Sequence, residues 1–256
     1  MRRLSLLVVA AFLVISSAPA LALPGIEAGV RGTYWFPDLS ATAQTTTVAG
    51  VPETKFDVKG DLGVGDENFL SGEAFARFGR VTFRLGYTPV RFDGNKTLTR
   101  TIVFGGDTFS VSDNVISRLD VTMIDAELQV DMLRPDLIAA SFYLGLIGKV
   151  KYVDGEVELT SSALKEKRDF KAPIPMIGLA AGAGFANNLV RADARVTGMA
   201  YSGNHLYEAD VFASFVPFPF LRVQGGYRYI DLKVDEDDIV ADLELKGPYI
   251  GAQLSF

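Results

Sequence analysis

Charged side chains recur at every second position in several segments of this chain, which places them together on one face of predicted β-strands. Eight acids and nine bases share that face. A pore selective for one kind of ion usually shows a ring of one sign, so this near-neutral mixture instead predicts ion pairs that fill a narrow interior. The predicted network comprises Glu27, Arg31, Glu73, Arg77, Arg84, Asp125, Glu127, Asp131, Lys149, Lys151, Arg191, Asp193, Arg195, Glu208, Asp210, Arg222 and Arg228.

The strongest catalytic signal is the single histidine, His205, which lies beside Ser202 and near Glu208 and Asp210. A serine with a histidine and an acid is the arrangement that activates a hydroxyl group. The Ser-Gly-Asn-His stretch is also an ordinary polar turn, which is the commoner origin of such a pair. We therefore predict no catalytic residue, and we keep a lipid-modifying enzyme using His205 as an alternative.

Metal and cofactor signals are weak. The chain has no cysteine and one histidine, so zinc lacks its usual ligands. Acidic residues crowd 57–67 and 235–238, but their spacing matches no calcium-binding loop. The sequence predicts no metal site and no cofactor.

Apolar side chains occupy the positions between the charged ones, and they determine the predicted fold class. Apolar residues make up 48% of the chain, yet downstream of the first residues no run approaches the ~20 residues of a helical membrane span. The last nine residues, 248–256, alternate apolar side chains with small or polar ones and end in Phe256. Strands can cross lipid only in a closed barrel, because every backbone group must be paired there. We predict an all-β, closed, antiparallel, up-and-down transmembrane barrel.

Ten strands are predicted, with eight as the alternative. Residues 38–68, 93–114, 160–169 and 235–238 are predicted as loops. Tight turns are predicted at 79–80, 134–136, 187–188, 202–204 and 217–219. In bacterial barrels the short turns are periplasmic, so we expect both termini in the periplasm. The predicted strands are 25–37, 69–79, 80–92, 115–133, 138–159, 170–186, 189–202, 205–217, 220–234 and 240–256.

Aromatic residues mark the two ends of the outward-facing apolar stretches, as expected for girdles at the membrane interfaces. The upper girdle is predicted to consist of Tyr34, Tyr87, Tyr152, Tyr207 and Tyr229, and the lower one of Phe78, Phe142, Phe185, Phe215 and Phe256.

Above the tyrosines the pattern inverts, so that outward positions become polar and inward positions apolar. This predicts strands that continue into water around an apolar chamber. The chamber is either a core filled by its own side chains or a pocket for an apolar ligand that enters from outside. Its predicted residues are Trp35, Val90, Phe92, Leu119, Val121, Met123, Val153, Val157, Ile174, Met176, Ile230, Leu232, Leu243 and Leu245.

The N-terminus has the pattern of a secretory signal peptide, with Arg2 and Arg3 before a short apolar run and small residues around Ala22. We predict a signal peptide at 1–22 and the barrel at 23–256. The barrel then carries 23 basic and 31 acidic residues, a net charge of about −8. This acidic balance argues against a nucleic-acid partner.

The terminal strand ending in Phe256 resembles the closing strand of bacterial outer-membrane β-barrels, in which this segment is read by the barrel-assembly machinery. The whole architecture resembles small barrels of the OmpW type, which are associated with uptake of hydrophobic small molecules and have eight strands. The resemblance implies a monomer in the bacterial outer membrane, in contact with lipid and lipopolysaccharide. Three functions follow: a porin-like barrel that binds or admits apolar small molecules, a closed structural barrel of the envelope, or an enzyme acting on lipid at the rim.

Overall fold

A computed structural model describes residues 26–45, 54–104, 107–135, 140–236 and 239–256 of the chain. The predicted signal peptide, 1–22, lies outside these residues. The described part is almost entirely β-structure, with one short helix. The elements are β1 (Ile26–Trp35), β2 (Asp38–Thr45), β3 (Thr54–Asp57), α1 (Val58–Leu62), β4 (Phe69–Phe78), β5 (Val81–Thr97), β6 (Ile102–Phe104), β7 (Asp107–Phe109), β8 (Asn114–Leu133), β9 (Ala140–Thr160), β10 (Lys165–Phe185), β11 (Val190–Tyr201), β12 (Asn204–Phe218), β13 (Leu221–Glu236) and β14 (Ile239–Ser255).

The sheet closes on itself as a ten-stranded antiparallel barrel, which confirms the predicted fold class and strand number. The strand order around the barrel is β1, β4, β5, β8, β9, β10, β11, β12, β13 and β14. The closing pair is β1 with β14, where Val30 faces Leu254. Reciprocal backbone hydrogen bonds of 2.8 and 3.1 Å also join Ala28 to the terminal Phe256. No strand edge is left free at this seam, as a structure that spans lipid requires.

The two ends of the barrel differ. One end, here called the turn end, carries Ile26, Phe256 and the short connections between paired strands. The predicted turns at Gly79–Arg80 and Asn187–Asn188 are confirmed. The turn predicted at 217–219 lies slightly later, because β12 continues to Phe218. The turn predicted at 134–136 lies partly outside the described residues.

The opposite end, here called the loop end, extends well past the apolar zone. Strands β9 and β10 have 21 residues each and are paired along that whole length. At ~3.3 Å per residue and ~45° tilt such a strand rises roughly 50 Å, which exceeds the ~30 Å hydrocarbon core of a bilayer. About 20 Å of the wall therefore stands outside the hydrocarbon region.

The predicted loops at the loop end contain regular structure, so that prediction was wrong in three places. Strand β2 continues the line of β1 after a break at Phe36–Pro37, and it pairs with the upper half of β14. Segment 93–114 supplies the end of β5 and the β6–β7 pair, and β10 begins at Lys165. These segments were assigned to loops on their Thr, Gly and Asp content. Threonine is also a strand former, and a neighbouring edge with free backbone groups favours pairing.

Helix α1 fills a gap in the wall at the loop end. Strand β4 begins only at Phe69, so the upper part of β5 has no strand partner on that side apart from a single bridge between Val64 and Gly94. Helix α1 contacts β2, β3, β5 and β8 across this gap. Its first turn is capped by the Asp57 carboxylate, and it ends at Gly63, whose φ of 67° suits glycine. Helix α1 and the short strand β3, which pairs with β2, thus occupy the gap between β2 and β5.

Candidate functional site

Inward charges change sign from one strand to the next around the lumen. Arg31 on β1 faces Glu73 on β4, and Arg195 on β11 faces Asp210 on β12. Glu127 on β8 likewise faces Lys149 on β9. Opposite charges at facing positions stabilise paired strands. The sequence contained this signal as alternating signs on successive strands, beyond the simple balance of acids and bases.

The centre of the lumen is occupied by a cluster that joins distant strands. The two oxygens of the Asp210 carboxylate accept hydrogen bonds from Arg195 Nη2 at 2.7 Å, Arg31 Nη2 at 3.1 Å and the Tyr249 hydroxyl at 2.6 Å. Arg195 Nη1 also donates to Glu73 Oε2 at 3.2 Å. These four charged side chains are largely buried, and charge-assisted bonds of this kind are among the strongest in proteins. The cluster places a rigid, nearly neutral block on the barrel axis.

The block extends toward β5 and β8. Arg84 Nη1 donates to Glu127 Oε1 at 2.7 Å and to Gln129 at 2.9 Å. A second cluster lies toward the loop end, where Lys151 Nζ is 2.6 Å from Asp125 and 3.0 Å from Glu208. Its other members are Lys149, which bonds to both of those carboxylates, and Arg228, 3.8 Å from Glu208.

The remaining predicted lumen charges lie at the turn end and are less completely paired. Arg77 is 3.8 Å from Glu27, and Arg191 is 3.2 Å from Asp193. Asp131 is buried, and it pairs at 3.7 Å with Arg134, a residue outside the predicted network. Arg222 has no carboxylate within 4 Å in the described part of the chain, and its Nε has no hydrogen-bond partner.

The predicted chamber residues all point inward at the loop end, but they fall into two groups. The first group has less than a tenth of its surface exposed and comprises Trp35, Val90, Phe92, Val121, Met123, Val153, Met176, Ile230 and Leu245. Those that remain partly exposed are Leu119, Val157, Ile174, Leu232 and Leu243.

Side chains of the chain itself fill much of this chamber. The rings of Trp35 and Phe69 are 6.5 Å apart, and those of Phe69 and Phe92 meet edge to face at 5.2 Å. The indole nitrogen of Trp35 donates to the Gly247 carbonyl at 3.2 Å. Several filling residues come from segments predicted as loops, and sequence reasoning missed them: Phe56, Leu62, Val64, Leu98, Ile102 and Phe109. Isolated large apolar residues within polar segments were the signal for them.

The predicted girdle residues lie on the outer surface. Exposed members are Tyr34, Tyr87, Tyr152, Tyr207, Phe78, Phe142, Phe185, Phe215 and Phe256. Tyr229 is partly buried, because its hydroxyl bonds to Glu244 on β14 at 3.1 Å. Between the girdles the outer wall is apolar, with Leu85 63%, Leu179 55% and Ile250 62% exposed. Such a band is stable only against hydrocarbon.

The Ser–His–acid group considered as an alternative does not assemble from Ser202, His205 and Glu208. His205 stacks on Tyr207 on the outer surface, with ring centroids 4.9 Å apart, and lies 3.6 Å from Asp231. Glu208 points into the lumen, on the other face of β12. In the described part of the chain, no hydrogen bond joins Ser202 to His205. Within the same residues, no three His, Cys, Asp or Glu side chains are grouped to hold a metal ion.

No helix in the described ranges has the length and apolar character needed to cross a membrane. No protein-family model matches the chain, and no curated protein matches it either.

Solved structures do resemble it. The outer-membrane protease OmpT of Escherichia coli aligns with a TM-score of 0.51 and 9% identity, covering 94% of this chain and 100% of that one. The Neisserial surface protein NspA gives 0.37 and 14%, covering 91% and 97%. The toluene transporter TodX of Pseudomonas putida gives 0.33 and 9%, covering 94% and 92%. At these identities the likeness concerns the fold, and it establishes no enzymatic activity.

The closed barrel, its outward apolar band and its interfacial aromatic residues, together with the fold shared with OmpT, identify this chain as an integral β-barrel protein of the bacterial outer membrane.

Proposed function

We propose that this protein is a closed outer-membrane barrel whose lumen does not conduct, and whose loop end is the surface that carries its function. The observation that carries this proposal is the central ion-pair block. Arg195 reaches from β11 to Glu73 on β4 and to Asp210 on β12, so the charged side chains cross the lumen instead of lining it. An ion entering the barrel would have to break bonds among buried charges, which is costly.

A second barrier lies above the block. Trp35, Phe92 and Phe109 are each at most 1% exposed, and they belong to one continuous core at the loop end. A hydrated ion gains nothing from a packed apolar layer. The two layers together support a barrel that separates compartments and does not connect them.

The outer face of the loop end is suited to water. Neighbouring strands carry ion pairs there, including Arg118 with Asp93 at 2.9 Å and Lys171 with Asp154 at 3.0 Å. Such exposed pairs add little stability, but they keep a protruding wall soluble and present a patterned polar surface. This supports a structural or displaying role for the loop end.

Conductance in planar lipid bilayers tests the closed lumen. We expect the wild type to insert without ion-conducting steps. Arg195→Ala combined with Glu73→Ala removes one positive and one negative side chain that meet on the axis but leaves the apolar layer in place. Measurable steps are therefore expected only when this pair is combined with Trp35→Ala and Phe92→Ala, which open the second barrier.

Lys171→Ala combined with Asp154→Ala is the matched control, since that pair lies on the outer surface. Large steps in the wild type would refute the proposal.

A second candidate function, binding of an apolar small molecule, is favoured by the partly exposed half of the chamber. Helix α1 covers the side formed by β2, β5 and β8. Leu232 and Leu243 face each other on β13 and β14, and both remain partly exposed although they point inward. An apolar surface that the chain leaves uncovered inside a wall is a candidate binding surface.

Binding of N-phenyl-naphthylamine, an apolar dye that fluoresces on leaving water, tests this second function. Saturable binding to the wild type should be lost when Leu232→Gln and Leu243→Gln are combined. Lys233→Gln is the control, because Lys233 lies on the same strand but points outward. Equal binding by all three proteins would place the dye in detergent and not in the chamber.

The orientation and the remaining partners belong to the same proposal. We propose that the turn end, with both termini, faces the periplasm, since bacterial barrels keep their short turns there. The side chain of Phe256 points outward and is half exposed, so it is accessible to the assembly machinery. The girdles and the charged loop end support contacts with lipid and lipopolysaccharide. For a rim enzyme, the described residues offer His205 near Asp231, with no hydrogen bond from Ser202 to His205.

A further inference from the structure

The turn end of the lumen contains a cavity of about 280 Å³. Liquid water occupies about 30 Å³ per molecule, so this space can hold a small solute with some of its hydration. The side chains of Arg134 and Glu27 at its border are 35% and 36% exposed, which shows that the cavity is open at the turn end. Beyond it lies the ion-pair block, so the cavity is a blind pocket.

The charge of this cavity is one-sided. Among the described residues that line it, seven are arginines and three are carboxylates. The smaller cavity of about 80 Å³ next to the block has five basic and five acidic lining residues. Three of the seven arginines, Arg31, Arg84 and Arg195, are paired with carboxylates of the central block. Without the block, four arginines and two carboxylates line the cavity, and one of the four, Arg134, also pairs with the buried Asp131. The lumen is thus neutral at its centre and has a small excess of positive charge at the turn end. The arginines are Arg31, Arg77, Arg84, Arg134, Arg191, Arg195 and Arg222, and the carboxylates are Glu27, Glu73 and Asp193.

Two of these arginines have unused donors. The Nε atoms of Arg191 and Arg222 are shielded from solvent and have no hydrogen-bond partner among the described residues. The other two guanidinium nitrogens of Arg191 donate hydrogen bonds to Asp193 at 3.2 Å and to Asn188 at 2.9 Å.

Arg222 forms no ion pair within 4 Å among the described residues, and its charged neighbours are Arg191 and Arg77, which repel it, and Asp193 and Glu27, which attract it. One buried acceptor, Oδ2 of Asp193, is also without a partner. A buried donor without an acceptor costs free energy, so the two arginine nitrogens would gain from an added acceptor.

The residue type indicates the chemistry of the missing acceptor. A guanidinium offers a planar fork of donors that matches the oxygens of phosphate and carboxylate, and no lysine lines this cavity. A small excess of positive charge and two unpartnered guanidinium nitrogens in one blind pocket favour an anion that is compact and offers several oxygens. Phosphate and diphosphate satisfy both conditions better than a monocarboxylate does.

We propose that the turn-end cavity binds a compact oxyanion of the phosphate or diphosphate class, held by Arg222, Arg191 and Arg77. The site rests on the turn-end side chains and not on the proposed function, since its arginine donors would remain if the lumen conducted. Its entrance faces the compartment on the side of the short turns.

Isothermal titration calorimetry of the folded protein in detergent tests this inference, with sodium diphosphate as the probe and ionic strength held constant with sodium chloride. We expect saturable binding of one anion per chain. Arg222→Gln should weaken it by about tenfold or more, the effect of losing one charge-assisted hydrogen bond. Arg222→Lys keeps the charge without the fork and should give an intermediate affinity. Arg91→Gln, which removes an exposed arginine at the loop end, should leave binding unchanged.

The wild-type titration alone can overturn the proposal, since absence of saturable binding at millimolar diphosphate would exclude the site. Undiminished binding by folded Arg222→Gln would also exclude it. If Arg222→Gln fails to fold, Arg191→Gln carries the same test. Tighter binding of citrate than of diphosphate would refute the phosphate class.

Discussion

The guanidinium of Arg195 lies 3.2 Å from the carboxylate of Glu73, although their strands stand on opposite sides of the barrel. Four strands separate β11 from β4 in either direction around the ten-stranded order. The two side chains therefore meet on the axis. This contact connects opposite walls of the barrel through the lumen. The stability of the barrel and its proposed lack of conductance therefore depend on the same side chains.

Asp210 is the carboxylate on which the central ion-pair block depends most, because it accepts hydrogen bonds from Arg31, Arg195 and Tyr249. Asp210→Asn should destabilise the barrel by about 3–5 kcal/mol, the usual cost of removing one partner from a buried charged network. Denaturant unfolding from lipid vesicles, followed by Trp35 fluorescence, measures this loss.

Glu158→Gln is the control for Asp210→Asn. Glu158 pairs with Lys165 at 3.1 Å on the outer face, where water screens the interaction. The denaturant concentration at the unfolding midpoint of Glu158→Gln should therefore stay close to that of the wild type. Equal effects of the two substitutions would contradict a structural role for the lumen cluster.

Neighbouring glycines on β13 provide a second, geometric test. A Cβ atom added at Gly226 would lie 2.6 Å from the Tyr249 ring and 2.7 Å from Phe212. Gly226→Ala should therefore displace Tyr249 from Asp210 and cost about 1–3 kcal/mol, as overpacking usually does.

Gly225 points outward, and an added Cβ there would come no closer than 3.9 Å to another atom. Gly225→Ala should leave stability unchanged or raise it slightly in the same unfolding assay. A larger loss for Gly225→Ala than for Gly226→Ala would mean that the inward and outward faces of β13 are reversed.

The single tryptophan reports on the direction of side chains in the first strand. Trp35 is 1% exposed and points inward, so brominated lipids should quench its fluorescence only weakly. Moving the indole by one position, with Tyr34→Trp and Trp35→Phe combined, places it on the outer surface, where Tyr34 is 42% exposed. Strong quenching is expected for that double variant. The reverse order of quenching would invert the alternation on which the barrel assignment rests.

The attachment of α1 to β2 should be visible in a pKa. Lys59 Nζ lies 2.6 Å from both Asp38 and Asp66, and its hydrogen bond to Asp38 lowers the pKa of that carboxyl group. The ionised form is favoured in the folded state, so this contact stabilises above the ordinary Asp pKa of about 3.9 and is lost as the pH falls through the lowered value.

Titration of Asp38 by carboxyl NMR in wild type and Lys59→Gln measures this coupling. The wild-type pKa should lie below the ordinary Asp value, and the substitution should return it toward that value. Lys55→Gln is a nearby control, since no ion pair to Lys55 is recorded within the described residues. An unchanged pKa in Lys59→Gln would show that the contact between Lys59 and Asp38 does not hold α1 at this edge.

Alternation alone was enough to predict the class of fold, the ten strands and the direction of nearly every side chain in the membrane zone. The reason is physical: a strand has a period of two, and lipid on one side with a packed interior on the other leaves little freedom of register. The aromatic girdles followed from the same pattern. Trp35 and Tyr34 are adjacent in the chain, and they were assigned to opposite faces because successive side chains of a strand alternate between faces.

Periodicity could not predict what the loops do. Phe56 and Leu62 lie in a segment without a repeating pattern, and their burial depends on the gap between β2 and β5, which exists only in the assembled barrel. His205 likewise lies beside Asp231 and not beside Glu208, because Glu208 occupies the opposite face of β12.

The sequence by itself determined that this chain must bury charges on one side of its strands and apolar residues on the other, because backbone pairing in lipid allows only a closed barrel. The tertiary structure decided which charges find partners. Side chains 122 residues apart, such as Glu73 and Arg195, pair only because ring closure sets them opposite each other. The same closure leaves Arg222 among other arginines, since pairing across a lumen is a property of three-dimensional distance and not of spacing along the chain.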